Sequence, residues 1–290
     1  MKKYIASFLL LTLCACELVV DVDIPIEKRN LVLSSFFNPD STWKAKVSLS
    51  RHILDEAPYP FVSDAIVVVF EGENAIDTLE HDSLGYYRSA DEGPKPGKSY
   101  SIRAVTSEHG TASGSSFCPQ IVPGQFSSLQ TSVGEFGQPE YSFTITFTDP
   151  AGKDFYQVMA IGEYRYTNPY TGQGFVNRSN VRVWSDDEGI DNEELENYEG
   201  FFFPDAIFNG EEFSVNVKMT PNMWGGSASS KYFIYFRAVS EDYYKYKITS
   251  MLQNHVGNDP FAQPVKVYNN IENGFGIIGG FTQTVLIIEP

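Results

Sequence analysis

Eight carboxylates crowd the segment from 186 to 199: Asp186, Asp187, Glu188, Asp191, Glu193, Glu194, Glu196 and Glu199. Calcium takes six to eight oxygen ligands, so acids at this density are candidate ligands, with Asp186, Asp187, Glu188 and Asp191 the first to consider. Their spacing matches no EF-hand loop, and a solvated acidic loop or short surface helix is the ordinary alternative. Gly274-Phe275-Gly276-Ile277-Ile278-Gly279 spells the glycine pattern of a dinucleotide site. That chemistry needs a helix after the glycines and an acid about 20 residues further on. A β-branched run follows instead, so no cofactor is expected, and the glycines read as places where backbones approach or a strand bulges. His52, His81, His109 and His255 lie far apart and have no partner at zinc spacing. No Gly-x-Ser-x-Gly elbow marks a serine hydrolase, and no catalytic residue is assigned. Aromatic rings gather at Tyr164, Tyr166 and Tyr170, at Phe201 to Phe203, and at Tyr243, Tyr244 and Tyr246. Exposed, they would stack on sugar or peptide; buried, they are core. Tyr170, set in a loop beside Asn168, Pro169 and Gly172, is the candidate for ligand contact.

A further reactive group lies near the start. Lys2 and Lys3 precede an apolar run from Tyr4 to Leu13, the layout of a signal peptide. About 20 apolar residues are needed to cross a bilayer as a helix, so this run is too short to remain as an anchor. The sequence Leu13-Cys14-Ala15-Cys16 then resembles a lipobox, with a branched residue three before the second cysteine and a small one directly before it. On that likeness the Cys16 thiol is acylated with palmitate-type chains and the peptide is cut before it. Cys14 fits less well, because Leu13 would occupy the small-residue site. Ordinary secretory cleavage with two incidental cysteines is the alternative. More than one acyl chain is needed for stable anchoring, which a fully modified cysteine supplies.

Composition narrows the partners. The 290 residues carry 21 basic and 37 acidic side chains, net −16, and loss of Lys2 and Lys3 with residues 1–15 takes the net charge to −18 over 275 residues. Nucleic acid is therefore not an expected partner, since a phosphate backbone rewards clustered Lys and Arg. Beyond the candidate lipid site only Cys118 remains, so no intramolecular disulfide is available and stability must come from packing. With 14% aromatic residues the chain has the means for that. Cys118 reads as a small buried hydrophobe.

The elements that must position these residues are strands. Residues 16–29 read as a tether, with alternating Val and Asp at 20–23 and Pro25. Lys44 to Ser50 alternates polar and apolar, Ala65 to Phe70 is a continuous β-branched run, and Tyr100 to Val105 alternates again. Tyr86–Arg88 and Thr111–Phe117 complete an N-terminal unit over 30–118. Pro119, Pro123 and Gly124 interrupt the pattern, placing a linker at 119–123. In a second unit, 124–290, strands are expected at 141–148, 155–166, 181–184, 213–219, 232–239, 265–268 and 277–288. One helix is expected over 241–254, where Tyr244, Ile248, Met251 and Leu252 share a face and Glu241 and Asp242 occupy the first turn. The fold class is all-β: two tandem antiparallel β-sandwich domains of immunoglobulin or fibronectin type, with one short helix.

Asp259 to Gly280, reading DPFAQPVKVYNNIENGFGIIGG, resembles the closing motif of the domain of unknown function 4249 family, lipoproteins of Bacteroidota. The likeness extends to YYKYK at 243–247, to Phe203-Pro204-Asp205 with Gly210, and to the Gly-Lys-x-Tyr turn at 97–100. It departs at Ile278, where an aromatic is the pattern. The resemblance implies an outer-membrane lipoprotein, often encoded near TonB-dependent transporters, with no established activity and no catalytic residues to carry over. Glu17, Asp21 and Asp23 partly fit a surface-export signal, which leaves the face of the outer membrane open. The function expected on this ground is a non-enzymatic accessory or ligand-binding partner of a TonB-dependent outer-membrane transporter. A surface adhesin or structural module is the alternative.

Overall fold

The computed structural model describes residues 28–52, 55, 58–90, 93–134, 137–168, 170–190, 199–220, 231–257 and 262–289. Cys16, the tether to residue 27 and Asp191 lie outside them. Among the described residues the fold is all-β with one helix.

Strict alternation builds the N-terminal half. β1 (Leu31–Phe37), β2 (Lys44–Leu49), β3 (Ile66–Glu71), β4 (Asn74–Ser83), β5 (Tyr86–Arg88), β6 (Lys98–Thr106) and β7 (Gly110–Cys118) follow in order. In β2 every apolar residue is buried and its lysines are exposed, as a period of two dictates. One set of pairings runs β4–β5–β2–β1 and another β4–β3–β6–β7, with β4 shared between them. Leu33 and Val47 from the first set and Val67, Ile102 and Ala104 from the second meet in one core. Trp43 closes it edge-on against Tyr100, with ring centroids 4.9 Å apart. Cys118 is fully buried there, and desolvation pushes its thiol up to about 12.

The second half repeats the logic with larger side chains. β8 (Gln125–Phe126), β9 (Gln130–Val133), β10 (Pro139–Thr148), β11 (Phe155–Thr167), β12 (Gly174–Trp184), β13 (Phe201–Pro204), β14 (Glu212–Thr220) and β15 (Lys231–Val239) precede the helix. β10 pairs with β8, β9 and β14, while β11 pairs with β12, β13 and β15. Phe143, Ile145 and Phe147 on β10 face Tyr156 and Val158 on β11 and Phe236 on β15 across a second core. Fully burying one such side chain contributes about 1.5–3 kcal/mol, which holds the described residues together without a disulfide among them.

Helix α1 (Glu241–Val256) starts where its residue types require. Ser240 caps it by accepting from the Tyr243 N–H at 3.2 Å, and Glu241 and Asp242 face the positive end of the dipole. The buried stripe is Tyr243 and Met251, with Tyr244 and Ile248 partly covered, and packs on Phe155, Phe202, Val239 and Phe281. It is rotated by about one residue from the expected face, because Tyr243 adds its ring to the apolar side.

β16 (Ile271–Glu272) and β17 (Phe275–Ile288) close the chain. Residues 275–280 of β17 pair in parallel with β1, and residues 281–288 pair antiparallel with β15. β16 pairs with β7. The boundary drawn at 119–123 puts residues 271–280 with the second unit, yet they complete the sheets of the first. At about 3.3 Å per residue a 14-residue strand spans roughly 46 Å, enough to serve both cores. Strand pairing is thereby continuous across the whole molecule. Residues 265–268, expected as a strand, join no ladder: the Val265 N–H goes to Gln253 Oε1 at 2.7 Å and the Tyr268 N–H to Thr249 Oγ1 at 2.9 Å. Helix side chains have replaced a neighbouring strand. Among the described residues no helix is long and apolar enough to cross a membrane.

Candidate functional site

The β11–β12 hairpin runs beyond the second core and carries the most exposed aromatic ring among the described residues. At its base Glu163 is nearly buried opposite Arg178. Glu163 Oε2 accepts from Arg178 Nε at 3.0 Å and Nη2 at 2.8 Å, and Oε1 accepts from Arg165 Nη2 at 3.2 Å. The Arg178 guanidinium also lies 4.8 Å from the Phe233 ring centroid. Above this base Tyr166 and Phe175 are cross-strand partners, so both rings project from one face. Val176 is exposed on the other face.

Local hydrogen bonding shapes the tip. Asn168 Oδ1 accepts from the Tyr170 N–H at 2.8 Å and the Thr171 N–H at 3.2 Å, while its backbone pairs with Gln173 and Gly172 at 2.9 Å. An Asn that bonds to the backbone ahead of it makes a turn without help from the core. Tyr170 is thus held outward, 95% exposed. Apart from half-exposed Tyr166, the other ring groups named from the sequence go inward: Tyr164, Phe201 to Phe203 and Tyr243 are buried, and Tyr244 is half-buried.

The ion pair at the base makes the hairpin pH-dependent. Arg178 first, then Arg165, hold the Glu163 carboxyl below the usual range against the opposing effect of desolvation. A lowered folded value means stability present above the unfolded glutamate value, about 4.3, and lost as pH falls through the folded one. Glu163→Gln should therefore weaken hydrogen-exchange protection of the β11–β12 amides at pH 7, and the difference should vanish as pH falls through the folded value. Equal protection in both proteins at pH 7 would assign the hairpin's order to its backbone ladder alone.

Of the acids in the 186–199 segment, three described ones are divided among neighbours. Asp186 pairs with Lys218 at 2.5 Å, Asp187 accepts from the Asn216 N–H at 2.6 Å and Nδ2 at 2.9 Å, and Glu199 pairs with Lys247 at 2.7 Å. Glu188 faces solvent. Among the described residues the carboxylates that converge are three others, Asp149, Asp154 and Asp205. In the sequence Asp205 stands in the Phe203-Pro204-Asp205 pattern with Gly210 that carries the family likeness, while Asp149 and Asp154 have only the chain breakers Pro150 and Gly152 beside them. The Gly274–Gly279 pattern lies in the turn into β17 and on that strand, and a Cβ at Gly276 would overlap the Leu33 carbonyl while one at Gly279 would press on Tyr243. Close backbone approach is its use.

The family model described as domain of unknown function (DUF4249) matches residues 17–286. No curated protein matches the chain.

Proposed function

The chain belongs to the DUF4249 family, and on that premise we propose that it is a non-enzymatic cell-envelope lipoprotein, anchored to the outer membrane through Cys16, that grips a TonB-dependent transporter. The supporting observation is the β11–β12 hairpin: an ordered turn that presents Tyr170, with Tyr166 and Phe175 behind it, on a base fixed by a buried carboxylate. Tyrosines held rigidly outside a fold contribute contact area at little entropic cost, and rings of this kind dominate binding energies at interfaces. The signal-peptide layout and the lipobox-like Leu13 to Cys16 support an address beyond the cytoplasmic membrane. The transporter as partner follows from the family resemblance.

Purification from detergent-solubilised outer membranes tests both parts. A TonB-dependent transporter should accompany the chain in near-equal amount, and Tyr170→Ala with Phe175→Ala should lower its recovery at least tenfold, as loss of about 2 kcal/mol or more implies. Recovery of the chain alone, or undiminished transporter with the double variant, overturns the reading. Retention on a glycan or matrix support in its place would move the same hairpin to an adhesin's role.

A further inference from the structure

Three strand ends meet at one edge of the second core. Asp149 follows β10, Asp154 precedes β11 and Asp205 follows β13. One carboxylate oxygen from each lies within 4.8 Å of the others. Asp149 and Asp205 are almost wholly buried, at 2% and 4% exposure, and Asp154 is partly so. The backbone holds them there: the Asp205 N–H donates to the Asp154 carbonyl at 3.1 Å, and the Asp149 N–H donates to the Glu211 carbonyl at 2.9 Å. Asn209 clamps one loop to the other through both polar atoms of Gly152.

Three desolvated acids at this separation repel one another, and the protein supplies little to offset that. Asp149 accepts from the Gly210 N–H at 2.8 Å and from the Tyr156 hydroxyl. Burial, and then that bond, raise the Tyr156 phenol, so it stays a donor. Among the described residues no Lys or Arg pairs with any of the three acids, and the one nearby lysine, Lys153, is engaged with Glu241 at 2.6 Å. Asp205 Oδ2 is buried with no hydrogen-bond partner at all. An orphaned carboxylate oxygen in a closed site is costly unless something positive takes it up. Burial, followed by the charges of Asp149 and Asp205, pushes the Asp154 carboxyl above its usual range, the direction expected of a site short of positive charge.

We propose that Asp149, Asp154 and Asp205 form a binding site for a divalent cation with oxygen ligands, calcium before magnesium. Calcium binds oxygens at about 2.3–2.6 Å in a loose geometry, so ligands on opposite sides of it stand up to about 5 Å apart, and it accepts carboxylates and loop carbonyls together. Magnesium requires a tighter octahedron, gives up water reluctantly and suits a dedicated protein cage less. The cation would join the β10–β11 loop to the β13–β14 loop, and it is independent of the hairpin and of any partner bound there.

The test uses the full chain, stripped with EDTA and then titrated with calcium chloride or magnesium chloride alone. Millimolar calcium should raise Tm by about 5 °C, with a smaller rise for magnesium. Asp205→Asn and Asp154→Asn should each abolish the calcium response, while Asp186→Asn retains it. Asp154 is the less buried, so its variant carries the test if Asp205→Asn does not fold. Asp154→Asn should also be more stable than the parent in EDTA, since it removes a repelling charge, an effect that a merely structural carboxylate would not produce. No calcium response in the parent chain, or one that survives Asp154→Asn, overturns the proposal.

Discussion

Gly276→Ala is expected to lower Tm by about 10 °C. Gly276 sits at φ +123°, a region closed to residues with a side chain, and its Cβ would be driven into the Leu33 carbonyl of the adjoining strand. Backbone strain costs about 1–3 kcal/mol and overpacking a similar amount, so about 4 kcal/mol in total is expected. At about 2–4 °C per kcal/mol that gives the stated shift. The loss falls on the parallel β1–β17 ladder, where Leu33 and Gly276 are partners. Gly72 is the matched control: it lies at φ +62° in the β3–β4 turn with open space around its Cβ position, so Gly72→Ala should cost about 1 kcal/mol. A melting temperature for Gly276→Ala within 2–3 °C, roughly, of the Gly72→Ala value would mean that strand β17 yields locally and does not bear on both halves.

Local pattern made much of the fold legible. Lys44 to Ser50 and Tyr100 to Val105 alternate in the sequence and are β2 and β6 in the structure, because a half-buried strand must alternate. The helix was readable from its apolar spacing and acidic first turn. Strands with little to bury were not: β4 has one buried residue in ten, Leu79, and its composition is that of a loop. Residues 174–180 of β12 form the outer part of the projecting hairpin and are mostly exposed, so they carry no period. The parallel pairing of β1 with β17 joins Val32 to Phe275 across nearly the whole chain, and no local signal reports a contact of that separation.

Site residues divide on the same ground. Tyr170 was visible because a turn announces itself through Asn, Pro and Gly in a few consecutive residues. The Asp149, Asp154 and Asp205 cluster was not, since Asp205 is brought to the other two by the pairing of β13 with β11. A run of acids in sequence draws attention, yet of its described members Asp186, Asp187 and Glu199 each hold a different neighbour and Glu188 faces solvent. Convergence in space is what chemistry needs, and here it comes from strand ends.

Asn270 tests whether the two halves are held as one body. Its side chain acts in place of a strand: Oδ1 accepts from the Ile278 N–H at 2.9 Å, and Nδ2 donates to the Ile278 carbonyl at 2.8 Å and the Ser115 carbonyl at 3.0 Å. One carboxamide thereby satisfies both polar groups of a fully buried residue on β17 and ties them to β7. Next to it Ser116 donates to Asp242 Oδ2 at 2.7 Å and accepts from the Ser240 hydroxyl at 3.0 Å, so the helix start is fixed to the same strand of the N-terminal half. Asn270→Ala orphans three backbone groups at about 1–3 kcal/mol each, and about 3 kcal/mol or more is expected in urea unfolding. Asn270→Asp should be worse than alanine despite its closer shape, because it keeps the acceptor for the Ile278 N–H but turns a carboxylate oxygen toward two carbonyls. That order separates hydrogen bonding from packing: an aspartate variant as stable as the parent, or more stable than the alanine one, would mean that Asn270 merely fills space between β7 and β17.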